Sequence, residues 1–232
     1  MEEDYIEGLD PERTLSTRVK SIIVVRHAES VANTEGIYQG QTYDTDLSEL
    51  GKKQTKALAN RLNDLELRKI ITSPLKRTYK TAEAVASEIG CDVEINEMII
   101  ETNHGVWEGK PKSWITQNFP DIHELWQRKP SEVIFPEGEA FMDVVQRTLD
   151  FLENTNFGPK TLVVTHDNIL RAMVSLINNL DIDKMWEIPL ETAALNFFEV
   201  NTVDQKNMFR VLKLNDIEHL VGLRNNINFH AL

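Results

Sequence analysis

Hydrophobic and polar positions follow two different periods along this chain. Short unbroken runs of apolar β-formers predict buried strands at 22–25, 69–72 and 161–165, and two later strands are expected near 193–200 and 208–213. Between the strands, apolar residues recur every three or four positions, which predicts amphipathic helices. We therefore expect an α/β fold, a three-layer sandwich with a mostly parallel sheet flanked by helices.

Three of the predicted helices come after strands, the first of them after a polar loop. The first has an apolar stripe, formed by Leu50, Ala57, Leu58, Leu62 and Leu65. The second is expected to have Ser73 as its N-cap and Pro74 at its first helical position, both residue types that are favoured there. The third should begin just after His166.

The composition shifts along the chain predict one domain with three additions. Residues 1–20 form an acidic N-terminal arm, 21–220 the domain, and 221–232 a C-terminal tail. Within the domain, the stretch 104–137 is richer in Trp, Pro and charge. We expect it to form a small insertion, or lid, over the functional site.

Charged and polar side chains stand where the predicted strands end. Arg26 and His27 end the first strand, Arg77 follows the second, and His166 follows the third. The carboxyl ends of parallel strands meet at one edge of a sheet, and ligands of open α/β sheets bind beyond that edge. Two histidines and two arginines are therefore predicted to share one site.

Charge and cysteine content narrow the function classes. A formal net charge of −12 argues against binding to nucleic acid or to an anionic membrane surface, since both need an excess of Lys and Arg. Cys91 is the single cysteine, so an intrachain disulfide is impossible and a reducing, cytoplasmic location is expected. No apolar run approaches the roughly 18 residues of a membrane span.

Six motifs in a fixed order carry a resemblance to a known family. They are "RHAES" followed by Asn33, then "TDLSELGKKQ", "SPLKRTYKTAE", "ETNHGVWEG", "FPEGEAF" and "VVTHDNILRA". Together they resemble the histidine phosphatase superfamily, the phosphoglycerate mutase-like proteins, over about residues 21–220. Each motif alone is weak, but six in order make a specific match, closest to the phosphatase branch.

The resemblance implies a phosphoryl-transfer site, and elementary chemistry agrees with it. His27 would be the nucleophile, because a neutral imidazole can hold a phosphoryl group covalently. Arg26, Arg77 and His166 would stabilise the charge on the phosphoryl oxygens. By the same resemblance Glu101 would protonate the leaving oxygen and then activate water, which requires a pKa raised by partial burial.

Four further residues are predicted to bind substrate. Asn33 matches a phosphate contact of the family, Asn168 follows the second histidine, His104 lies three residues after Glu101, and Arg128 could reach a second anionic group. The histidines show no i, i+4 pairing, and the phosphohistidine mechanism implied by the resemblance needs no metal, so no metal or other cofactor is expected.

Two positions depart from the commonest family pattern. Ala28 and Asp167 stand where glycine is usual after each histidine. An acid at Asp167 would weaken anion binding unless it turns away to cap the helix that begins near Asn168.

The favoured function is a metal-independent phosphomonoesterase that acts on a small phosphorylated metabolite. Only 65 positions separate Glu101 from His166, without the longer basic insertion of the family's mutases. Mutase-type phosphoryl transfer and a non-catalytic, phosphate-binding regulatory role remain open alternatives, and a homodimer is a further expectation.

Overall fold

A six-stranded sheet forms the centre of the molecule. The structure is a computed structural model that describes residues 20–203, 206–225 and 230, so residues 1–19 of the predicted arm lie outside it. The strands in chain order are β1 (Lys20–Arg26), β2 (Lys69–Thr72), β3 (Val93–Ile95), β4 (Thr161–Thr165), β5 (Leu195–Val203) and β6 (Lys206–Asp216).

Seven α-helices are present in the described part of the chain. They are α1 (Val31–Glu35), α2 (Glu49–Leu62), α3 (Lys76–Ile89), α4 (Lys112–Asn118), α5 (Pro120–Arg128), α6 (Phe141–Asn154) and α7 (Asp167–Ile177). None of these helices is both long and apolar enough to cross a membrane.

The sheet is mixed, with the parallel pairs on one side of β1. The strand order is β3-β2-β4-β1-β5-β6. Strand β1 pairs in parallel with β4 and antiparallel with β5, while β2 joins β4 and β3 in parallel. The prediction of a mostly parallel sheet is confirmed, and β1 lies at its centre.

Alternate residues of β1 serve two separate cores. Ile22 and Val24 belong to the apolar cluster that also contains the buried faces of α6 and α7. Ile23 and Val25 belong to the cluster with the buried faces of α2 and α3. Because successive side chains of a strand point to opposite faces, an unbroken apolar run requires cover on both sides. The structure therefore confirms the three-layer sandwich.

Two local expectations are wrong, and one strand was not expected. Helix α3 begins at Lys76 after an extended Leu75 with ψ of 144°, so Ser73 is not its N-cap. Helix α7 begins at Asp167, with His166 as N-cap, so Asp167 does not cap a helix starting at Asn168. Strand β3 was not predicted, because it has only three residues and they are mostly exposed.

The stretch predicted as an insertion contains α4 and α5 together with large buried aromatics. Trp107, Trp126 and Phe135 lie in the same apolar cluster as Ile22 and Val24 of β1. The segment is therefore anchored in one of the two cores, which gives its first residue, His104, a fixed position near the end of β1.

Candidate active site

A small enclosed cavity lies at the carboxyl end of β1. Its volume is about 20 Å³, and it is lined by Arg26, His27, Asn33, Gln39, Arg77, Glu101, His104, Asp167 and Asn168. His166 adjoins it, because its ring centroid lies 5.4 Å from that of His27. Parallel pairing of β1 with β4 brings these two histidines together: the backbone N–H of His27 donates to the carbonyl of Thr165 at 2.9 Å.

His27 is held as a neutral imidazole in one tautomer. Its Nδ1 lies 2.8 Å from the backbone carbonyl of Ala28, which can only accept, so Nδ1 carries the proton. Burial, Arg77 and Arg26 together lower the pKa of His27 well below its usual value. Its Nε2 therefore keeps a free lone pair, the form that a nucleophile needs.

Each of the two arginines is fixed by an aspartate. Arg77 donates from one terminal nitrogen to Asp44 at 2.9 Å and from the other to the carbonyl of Gly40 at 3.1 Å. Arg26 forms an ion pair with Asp167 at 2.9 Å and a hydrogen bond of 3.1 Å with His230 Nδ1. In both arginines the buried Nε–H has no acceptor among the described residues.

His166 is oriented by the hydroxyl of Ser73. Its Nε2 lies 2.8 Å from that hydroxyl, and its buried Nδ1 has no partner in the described part of the chain. Burial lowers the pKa of His166 well below its usual value, with Arg77 and His27 adding to the shift. When Ser73 donates to Nε2, the proton resides on Nδ1, which gives the site one more unpaired donor.

Glu101 is a buried carboxyl group with a raised pKa. Its side chain is 5% exposed, and one carboxyl oxygen accepts the N–H of Thr102 at 2.8 Å. Burial raises the pKa of Glu101, and the attraction of Arg77 opposes this without cancelling it. A carboxyl group that retains its proton at higher pH can give it to a leaving oxygen.

The predicted substrate-binding residues Asn33, His104 and Asn168 also line the cavity. The side-chain oxygen of Asn33 accepts hydrogen bonds from the backbone N–H and the hydroxyl of Ser30, in a capping box for α1. The side-chain N–H groups of Asn33 remain available for other partners. His104 Nδ1 lies 2.7 Å from the carbonyl of Gln39, and Asn168 donates to Thr102 at 3.1 Å. Burial lowers the pKa of His104 to about 4, so it is neutral.

Glu108 ties the loop before α2 to the segment that carries His104. Its carboxylate accepts the backbone N–H groups of Gln41, Thr42 and Tyr43 at 3.0, 2.7 and 2.8 Å. The same carboxylate accepts the N–H of His104 at 3.1 Å. One partly buried carboxylate therefore connects two walls of the cavity.

Arg128 is not brought to the cavity. It lies on the outer surface of α5, its side chain is 76% exposed, and it pairs with Glu124 one helical turn away. It borders a separate surface groove formed by residues of α5 and Lys129. An amphipathic helix places only one of its faces toward the core, and Arg128 occupies the opposite face.

Several residues around the cavity had no signal in the sequence. Gln39 and Asp44 lie in the loop before α2, and Ser73 was interpreted as a helix cap. His230 reaches Arg26 across 204 positions of the chain. A buried arginine requires an acidic or carbonyl partner, which predicts that partners such as Asp44 exist but not where they lie.

Comparisons with known proteins agree with this geometry. Residues 22–216 match the family model described as the histidine phosphatase superfamily, branch 1. The chain is 37% identical to phosphoserine phosphatase 1 of Hydrogenobacter thermophilus over 202 residues, covering 86% of this chain and 93% of that one. It is 32% identical to a probable phosphoglycerate mutase, GpmB, of Escherichia coli, over 68% of this chain and 75% of that one.

A solved structure supports the same assignment. Bacillus stearothermophilus YhfR superposes with a TM-score of 0.80 at 28% identity, covering 87% of this chain and 99% of that one. The family model spans most of the chain and all the motifs that line the cavity. The chain therefore belongs to the histidine phosphatase superfamily and is an enzyme of its phosphatase and phosphoglycerate mutase-like type.

Proposed function

We propose that this protein hydrolyses the monoester of a small phosphorylated metabolite through a phosphohistidine intermediate on His27. The observation that carries the proposal is the neutral His27, with Nε2 unprotonated, beside buried donors that lack an acceptor among the described residues. These donors are the Nε–H groups of Arg26 and Arg77, joined by Nδ1 of His166 when Ser73 donates to Nε2 of that ring. An unsatisfied buried donor costs free energy, and a phosphoryl group supplies the acceptors.

The first step transfers the phosphoryl group to the protein. Nε2 of His27 forms a bond to phosphorus as the bond from phosphorus to the ester oxygen breaks. That oxygen takes the proton of Glu101 and leaves as an alcohol. Arg26 and Arg77 face the charge of the equatorial oxygens, which is the main electrostatic requirement of phosphoryl transfer.

The second step returns His27 to its starting form. Glu101, now a carboxylate, takes a proton from water while the water oxygen bonds to phosphorus. The bond from phosphorus to Nε2 breaks, and inorganic phosphate leaves. Glu101 is again protonated, so the cycle is balanced and draws only on side chains, as the prediction of no metal and no cofactor requires.

The size and charge of the site favour a small substrate. His27 is 2% exposed and lines a small cavity, which favours a compact phosphate ester over one on a protein surface or a nucleic acid. The net charge of −12 also repels polyanions. The relative named phosphoserine phosphatase 1 supports phosphorylated amino acids as the first substrate class to test. A cytoplasmic location and a homodimer remain predictions.

The test is release of inorganic phosphate from L-phosphoserine, 3-phosphoglycerate and phosphorylated sugars. We expect release by the wild type that disappears in His27→Ala and persists in the matched variant His123→Ala on α5. A phosphoenzyme that is labile to acid and stable to base should form in the wild type only. Release that survives His27→Ala would refute the proposal.

Mutase-type transfer is the second candidate, favoured by the similarity to the probable phosphoglycerate mutase. A mutase returns the phosphoryl group from His27 to the substrate, so isomer exchange would exceed phosphate release. Comparing both rates for 3-phosphoglycerate on one preparation separates the two activities.

A further inference from the structure

Asp167 lies between two buried arginines, only one of which borders the cavity. Its Oδ1 is 2.9 Å from Arg26, and its Oδ2 is 2.6 Å from Nε of Arg171. Asp167 is 1% exposed and Arg171 is 4% exposed. The three side chains form a chain of contacts, from Arg171 through Asp167 to Arg26, with almost no exposed surface.

The far end of this chain is attached to the backbone. Arg171 donates to the carbonyls of Met185 and Ile188 at 2.8 and 2.6 Å, and its guanidinium lies 5.1 Å from the ring centre of Trp186. Arg171 therefore cannot follow Arg26 if Arg26 moves. Asp167 in turn is held at the first residue of α7, so its carboxylate is a fixed point.

Asp167 acts as an anion in this position. Burial alone would raise the pKa of Asp167, but Arg171 and Arg26 outweigh burial and lower it. Without that charge, two buried guanidinium groups would repel each other across the gap. Removing one partner of a buried ionic set leaves uncompensated charge, which is costly.

We propose that Asp167 is a positioning residue for phosphoryl transfer, which fixes one edge of the Arg26 guanidinium beside His27 and lowers the positive potential of the phosphate site. The proposal rests on the proposed function, since it concerns the same site. One terminal nitrogen of Arg26 pairs with Asp167 and the other contacts His230, so the guanidinium has a single orientation in which Nε–H has no described acceptor.

The two effects of Asp167 act on different kinetic constants. Its negative charge disfavours phosphate in the bound substrate and in the transition state alike, which raises KM without changing kcat. Its ion pair with Arg26 orients the guanidinium toward the transition state, and this orientation raises kcat. An enzyme without this charge should bind phosphate more tightly and turn over more slowly.

The test compares Asp167→Asn with Asp143→Asn, the same chemical change at an exposed site of α6. For Asp167→Asn we expect kcat to fall by at least about 10-fold. We expect KM and the dissociation constant of inorganic phosphate, measured by calorimetry, to fall by at least about 3-fold. Asp143→Asn should match the wild type in all three constants.

A second variant separates position from charge and guards against misfolding. Asp167→Asn with Arg171→Gln removes one charge of each sign, so phosphate affinity should stay near that of the wild type while kcat still falls. An unchanged kcat in either folded variant would overturn the proposal, as would weaker phosphate binding by Asp167→Asn. A wild type that neither hydrolyses phosphomonoesters nor binds phosphate would instead refute the proposed function.

Discussion

Replacement of Glu101 by glutamine removes the proton donor while keeping the shape of the side chain. The carboxyl group is buried, and one of its oxygens accepts the N–H of Thr102 at 2.8 Å. The amide oxygen of glutamine can accept the same hydrogen bond, so the loop and the cavity wall should keep their positions. Only the proton transfer at the ester oxygen and at water is lost.

The size of the loss follows from the chemistry of each step. General acid–base catalysis contributes roughly 10²- to 10⁴-fold, so the barrier for an alkyl phosphate should rise by about 3 to 5 kcal/mol. Nitrophenolate leaves without a proton, so p-nitrophenyl phosphate should still phosphorylate His27 in Glu101→Gln. The second step still needs the base, and the phosphoenzyme should therefore accumulate.

The assay is a rapid-quench measurement with both ester types, with intact-protein mass spectrometry to detect the phosphoenzyme. Glu124→Gln is the matched control, because Glu124 is 69% exposed and lies on the outer surface of α5. We expect a burst of nitrophenol from Glu101→Gln followed by slow turnover. In the wild type, activity on alkyl esters should decline as pH rises through the raised pKa of Glu101.

Equal losses with both leaving groups, and no phosphoenzyme, would refute the assignment of Glu101 as the acid and base. Such a result would mean that Glu101 acts on the position of Arg77 or on the loop instead. A loss below about 3-fold on alkyl esters would refute it as well, because general acid catalysis is worth at least roughly 10²-fold.

Two further predictions follow from burial. Stability to urea should fall as pH is lowered from 7.5 to 5.5. In the folded state the pKa values of His27, His104 and His166 lie below the usual histidine pKa of 6.5. In the unfolded chain these histidines take up protons near pH 6.5, which favours unfolding. The stabilisation present above pH 6.5 is lost as pH falls, by up to about 1.4 kcal/mol per pH unit for each histidine, and a constant or rising stability would contradict this. Arg128→Ala should leave KM unchanged for every substrate on the panel, because the side chain is exposed and remote from the cavity; a raised KM would place a substrate group on α5.

The position of the site was predictable because it depends on sheet topology. Arg26 and His27 follow an unbroken apolar run, and His166 follows another, so parallel pairing alone places both histidines at one edge. The same logic places Arg77 there after β2. Local patterns were sufficient to place these residues because each of them follows a recognisable strand of the sheet.

The errors arose where tertiary contacts override local preference. Ser73 and Asp167 are residue types that favour N-caps, yet Ser73 contacts His166 and Asp167 pairs with two arginines. A buried ring nitrogen and a buried guanidinium gain more from these partners than a helix end gains from a cap. The predicted substrate contact of Arg128 gains no support from its position, because Arg128 lies on the exposed face of α5 and does not line the cavity.

The central position of β1 has a consequence for how the enzyme is made. Strand β1 is synthesised before its neighbours β4 and β5, which begin at Thr161 and Leu195. Until those segments leave the ribosome, both edges of β1 lack their native partners, and unpaired strand edges are prone to aggregate. Long-range pairing of this kind also slows folding. The nucleophile is therefore translated well before the strands that complete its surroundings.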